Sequence, residues 1–84
     1  MYNEIIPTRE EKRIWKEKLR DSLLSLCVYY PDIYPCKRDS FRTLLEKFFY
    51  WASEYNDGYF YERRTAKTDR FSAYLVQEYD TMGY

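Results

Sequence analysis

The stretch FRTLLEKFFYWASEYNDGYFY, residues 41 to 61, holds the reading on which the fold turns. On a wheel of about 100° per residue, Phe41, Leu44, Leu45, Phe48, Trp51, Ala52 and Tyr55 fall within roughly 60° of one direction. No other segment of the chain has so clear a period, and it predicts a helix with one apolar stripe. Arg42, Thr43, Glu46, Lys47, Ser53 and Glu54 form the opposite, polar face, with Tyr50 near its middle and Phe49 at its edge. Asn56-Asp57-Gly58 predicts the stop, because glycine tolerates the left-handed conformation that closes many helices. The question is what the rings outside the stripe are for, since positions 48 to 61 hold eight aromatics in fourteen residues.

Working outward, Thr8 and Glu11 form a T-x-x-E capping box that predicts the start of a first helix. Trp15, Leu19, Leu23, Leu26 and Tyr30 then recur at steps of four, four, three and four, one stripe of a helix that Pro31 ends. The segment LLSLCVYY is apolar nearly all round, which predicts that Leu24 and Val28 face a second neighbour. The charged half, Arg9 to Arg20, reads as a solvated face. PDIYPCKRDS is a rigid connection, with Asp39 the N-cap candidate for the second helix and Ser40 its alternative.

After Gly58, the segment YFYERRTAKT has no clear period and predicts either a short β element around residues 59–63 or an irregular aromatic arm. Thr68 or Asp69 is placed to cap a further helix, with Phe71, Leu75, Tyr79 and Met82 on its apolar side. A strand over residues 71–79 is the competitor, but neither alternate face is clean. The predicted fold is mainly α: a compact three-helix domain over residues 1–84, with the short β element as its open variant.

Composition sets the limits. A chain of 84 residues buries only about 60 to 65% of its unfolded surface, so its core needs large side chains. Eleven Tyr, five Phe and two Trp supply them. Fourteen basic residues balance fourteen acidic ones, so no global positive field favours nucleic acid. Mean hydropathy is −0.80, and no run approaches the roughly 20 apolar residues of a membrane span. The expectation is a soluble, cytoplasmic protein with no membrane contact.

Catalysis is disfavoured by inventory. Histidine, the side chain best suited to proton transfer at neutral pH, is absent. No phosphate loop, nucleophile elbow or acidic metal grouping occurs, so no catalytic residue, metal site or cofactor is assigned. A tyrosine nucleophile would need a larger constellation than one nearby arginine, which eleven tyrosines make a matter of chance. Cys27 and Cys36 fit neither a CxxC redox pair nor a common zinc half-site; the reading is two reduced thiols, at least one buried, with a disulfide open in an oxidising compartment.

Two basic clusters remain. Lys37, Arg38 and Arg42 surround the start of the second helix, where unpaired N–H groups favour an anion, unless Asp39 already caps them. Arg63, Arg64, Lys67 and Arg70 follow Tyr59, Phe60 and Tyr61, a combination that suits base stacking with phosphate contact, or a protein hot spot, or a solvated loop. With Phe49, Tyr50, Tyr74 and Tyr84 these rings form a surplus beyond the predicted core. Neutral charge tips the choice toward a non-enzymatic module that binds a protein partner or its own copy. Size, charge balance and aromatic load are similar to those of small phage or mobile-element accessory proteins that inhibit host complexes, although no motif assigns a family. The alternative is a single-stranded nucleic-acid binder using Tyr59, Phe60 and Tyr61 with Arg63, Arg64, Lys67 and Arg70.

Overall fold

The computed structural model describes residues 4–65 and 69–84, with the side chains of residues 64 and 65 also left aside. Four α-helices occur among them: α1 (Arg9–Leu26), α2 (Phe41–Tyr55), α3 (Tyr59–Thr65) and α4 (Arg70–Thr81), with a 3-10 turn at Pro31–Ile33. The mainly α prediction holds, and the count rises from three helices to four.

The capping box at Thr8 is complete. The Glu11 N–H donates to Thr8 Oγ1 at 3.1 Å, and the Thr8 N–H donates to Glu11 Oε1 at 3.0 Å. From that start, Trp15, Leu19 and Leu23 are buried, and Leu26 and Tyr30 lie at the margin of the core. The helix ends at Leu26, whose carbonyl accepts the amides of both Tyr29 and Tyr30 at 3.0 Å; Pro31, which has no N–H, then opens the 3-10 turn. One expectation fails here: Leu24 is exposed and Val28 is 76% exposed. The other elements pack on the Trp15–Leu19–Leu23 side of α1, leaving none to cover the far side.

The connection to α2 is rigid for identifiable reasons. Ile33 and Pro35 are buried, Arg20 donates to the carbonyls of Cys36 and Lys37 at 3.0 and 3.3 Å, and Lys47 donates to the Tyr34 carbonyl at 2.8 Å. Lys47 also pairs with Asp39, whose carboxylate accepts the Cys36 N–H at 2.9 Å. Asp39 is thereby occupied in closing the turn, and Ser40, not Asp39, is the N-cap, accepting the Thr43 N–H at 3.1 Å.

The α2 stripe buries Leu44, Leu45, Phe48, Trp51 and Ala52, with Phe41 half-buried and Tyr55 exposed at the helix end. Asn56 closes α2. Gly58 does not supply a left-handed stop: among the described residues a positive φ occurs at Gly83, 83°, where α4 has ended.

The expected β element is replaced by α3. Tyr59 and Phe60 both reach α2, lying 5.4 and 6.3 Å from the Phe48 ring, and Tyr59 also lies 5.3 Å from Trp51. A strand would send successive side chains to opposite faces, whereas a helix turns them by only about 100° and lets both pack inward. The helical spacing also brings Arg63 over the Tyr59 ring at 4.7 Å. No second strand exists among the described residues to pair with an extended segment.

Asp69 caps α4, accepting the Ser72 N–H at 3.0 Å; Thr68 lies outside the described residues. Residues 71–79 are helical, settling the helix-or-strand alternative, with Tyr74 and Leu75 buried and Phe71, Tyr79 and Met82 packed beside them. The helices meet largely through rings. Trp15 contacts Phe71 and Tyr74 at 5.4 and 5.2 Å, joining α1 to α4. Phe49 contacts Phe60 and Tyr79, both at 5.5 Å, and Phe60 contacts Tyr79 at 4.1 Å, joining α2, α3 and α4. The aromatic load therefore fills the interior of a small chain, as its size requires. One polar atom is stranded there: Trp51 Nε1 is buried without a hydrogen-bond partner, its ring edge-on to Tyr59.

The segment before α1 is strapped to α4. The Gln77 side-chain amide accepts from the Ile5 N–H at 2.6 Å and donates to the Ile5 carbonyl at 2.9 Å. Arg70 reaches the Ile6 carbonyl at 3.2 Å and Glu11 at 2.6 Å.

Candidate interaction surface

The structure divides the residues predicted for a partner. Phe49 is 0% exposed and Phe60 4%. Both belong to the core: α3 folds over the edge of α2 and covers Phe49, whose place at the edge of the polar face left it open between a contact surface and burial under a third element. Tyr74 is buried as well, its ring against Trp15. Tyr59 is half-buried and covered by Arg63; burial raises its phenol above the ordinary value, opposed by the Arg63 charge.

The two cations of that patch whose side chains are described, Arg63 and Arg70, are engaged within the molecule. Arg63 donates to Ser72 Oγ at 2.8 Å. Arg70 holds Glu11, whose carboxyl lies below its ordinary value first through the Thr8 N–H and then through Arg70. Lys67 and the Arg64 side chain lie outside the described residues. Of the expected stacking trio, Tyr61 alone is well exposed, at 71%. At the start of α2, Lys37 and Arg38 are exposed, Arg42 pairs with Glu46 at 3.5 Å, and Ser40 supplies the cap. Among the described residues of this segment, Tyr59, Phe60 and Arg63 serve packing, Arg70 engages Glu11 and Ile6, and Tyr61 stays exposed.

Tyr50 is different. It is 42% exposed and belongs to a chain of rings that runs from α2 to Tyr30, just before the 3-10 turn. Its ring meets Tyr55 edge-on at 6.2 Å, and Tyr55 stacks on Tyr30 at 4.5 Å and 25°. The Tyr55 hydroxyl donates to Asp32 Oδ2 at 2.8 Å, tying the end of α2 to the 3-10 turn. That hydrogen bond to a carboxylate, with lesser help from Asp32 and Tyr50 electrostatics, pushes the Tyr55 phenol up to about 12. Beside these rings runs an open groove of about 470 Å³, lined by Asp32, Ile33, Thr43, Glu46, Tyr50 and Tyr84, with Lys47 at its wall. Tyr84 is half-exposed and rests on Phe49 and Tyr79.

Adjacent in sequence to Tyr30, Val28 and Tyr29 are 76% and 78% exposed, and Tyr34 is also exposed. The segment VYYPDIY, residues 28–34, carries this surface. Its signal was a cluster of three tyrosines about a proline, which helical periodicity absorbs into the stripe of α1 up to Tyr30 and then into a connecting turn.

Cys27 and Cys36 are both free. Neither is fully buried: Cys27 is intermediate, with its thiol donating to the Leu24 carbonyl at 3.1 Å, and Cys36 is exposed. Among the described residues no cluster of three or more potential metal ligands occurs, and no helix is long and apolar enough to cross a membrane. No protein-family model, curated protein or solved structure matches this chain.

Proposed function

We propose that the chain is a non-enzymatic binding module that attaches to a protein partner in the cytoplasm and blocks part of its surface sterically, as small phage or mobile-element inhibitors do. The observation that carries this reading is the ring chain Tyr30–Tyr55–Tyr50, whose Tyr50 and Tyr55 are exposed and which the Tyr55–Asp32 hydrogen bond locks. Tyrosine offers a large amphipathic contact area with two side-chain torsions, so ordering it on binding costs little. Rings already held by stacking cost less still. Asp32 and Glu46, which line the groove beside Tyr50, supply polar rim groups, and Val28 and Tyr29, next to Tyr30 in sequence, are further exposed apolar side chains. Two unpaired thiols, one exposed, suit a reducing compartment. The single-strand reading has less support, because two of its three stacking rings pack against α2.

The test is affinity capture from the source cell with wild-type bait and a Tyr29→Ser/Tyr50→Ser bait. A protein retained by the first and lost from the second supports the proposal. Equal retention by both removes this surface from the account. Light scattering at high concentration separates self-association, in which case the Tyr29→Ser/Tyr50→Ser variant loses a dimer that the wild type forms.

A further inference from the structure

A second surface, unrelated to the tyrosine chain, carries a different chemistry. Arg9, Arg13, Lys16 and Arg20 are spaced by four, three and four residues, which aligns them along one side of α1 over an axial length of about 16 Å. The Arg20 guanidinium bonds the carbonyls of Cys36 and Lys37, so the connection between α1 and α2 brings Lys37 to the C-terminal end of this row. Arg13, Lys16, Arg20 and Lys37 line one open groove of about 540 Å³, with Glu17 as the single carboxylate among its lining residues. Four cations and one carboxylate thus line the groove, while Glu10 pairs with Arg13 and Asp39 lies within electrostatic reach of Arg20 at its margin.

The balancing partners of these cations are weak or neutral. Arg20 bonds two uncharged carbonyls. Neither Lys16 nor Lys37 makes an ion pair with the described residues. Arg13 pairs with Glu10 at 2.5 Å, but both side chains are mostly exposed, and solvent screens such a pair, so an incoming anion can displace Glu10.

We propose that this groove binds the phosphate backbone of duplex nucleic acid. A row of about 16 Å matches about five phosphates of one strand at 3.4 Å of axial rise each. No aromatic ring lines the groove, so it offers no platform for unpaired bases, which single-strand binders use. Contact is therefore to the backbone and independent of base sequence. The proposal does not rest on the tyrosine surface: the two grooves share no lining residue.

The test is fluorescence anisotropy of a labelled duplex of about 20 base pairs titrated with the full chain at several salt concentrations. Three to four phosphate contacts predict a log–log slope of about −3, which is roughly a 60-fold loss of affinity between 50 and 200 mM salt. Lys16→Gln/Lys37→Gln should reduce the slope by about 2 units and weaken binding, while Lys16→Arg/Lys37→Arg should restore both. Circular dichroism of the variants controls for folding. No duplex binding at about 50 mM salt overturns the proposal. An unchanged slope in the Gln variant does the same. So does tighter binding of a single strand, or of poly-glutamate, which would assign the groove to unpaired nucleic acid or to an acidic protein segment.

Discussion

Phe49 and Tyr50 are neighbours in sequence that the fold treats in opposite ways, and alanine substitutions at the two should differ sharply. Phe49 is 0% exposed and sits among Phe60, Tyr79 and Tyr84, with ring centres 5.5 to 5.9 Å away. Removing a buried phenylalanine ring costs about 3 to 5 kcal/mol, the loss of transfer energy plus the cavity it leaves. For a domain of 84 residues the whole stability is about 4 to 13 kcal/mol. Phe49→Ala should therefore lower Tm by roughly 12 to 40 °C, at about 4 to 8 °C per kcal/mol for a chain of this size, or leave the protein unfolded at room temperature. Tyr50→Ala, which removes one edge-on ring contact at a solvated position, should cost less than about 1 kcal/mol. Thermal and urea unfolding followed by circular dichroism measure both. A Phe49→Ala variant within about 1 kcal/mol of wild type, or a Tyr50→Ala variant as damaged as Phe49→Ala, would refute the placement of these two rings.

Gln77→Ala removes both hydrogen bonds that hold Ile5 and should cost about 1 to 3 kcal/mol. Amide exchange at Ile5 should rise strongly in that variant, and equal protection in the two proteins would contradict the strap. Phenolate absorbance should show Tyr55 and Tyr74 ionising at about 12, against an ordinary value of 10.0. Because the folded state holds these protons more tightly, the stability they contribute is intact below pH 10 and is lost as pH rises toward 12. Asp32→Asn should bring the Tyr55 ionisation down and leave that of Tyr74 in place, since Tyr74 is raised by burial first and by its hydrogen bond to Glu78 second. A thiol count on the native protein should give two free groups, with Cys36 alkylated faster than the partly buried Cys27; one group or none would indicate a bridge.

The helices legible in the sequence were those with a cap and a stripe. Thr8 with Glu11 marks the start of α1, and the row from Phe41 to Ala52 marks the inner face of α2, because local hydrogen bonding and a repeating apolar spacing are written into neighbouring residues. What periodicity did not reveal depends on contacts between elements. Helix α3 is only seven residues long, too short to display a period, and it forms because Tyr59 and Phe60 find α2. Phe49 lies at the polar edge of its own wheel and becomes interior only once α3 and α4 cover it. Conversely, Leu24 and Val28 look interior on composition and stay exposed because none of the described helices packs on them. The candidate surface was half legible for the same reason. Tyr50 stands out on the α2 wheel, but its linkage to Tyr55, Tyr30 and Asp32 requires the ends of α1 and α2 to be brought together around Pro31.

The most direct test of the proposed role is a three-way capture from nuclease-treated lysate, with wild type, Tyr29→Ser/Tyr50→Ser and Lys16→Gln/Lys37→Gln as baits. The tyrosine surface predicts a protein retained by the wild type and by the lysine variant but lost from the tyrosine variant. Retention of that protein by the tyrosine variant, at the level of the wild type, would contradict the claim that Tyr50 and its linked rings form the binding face.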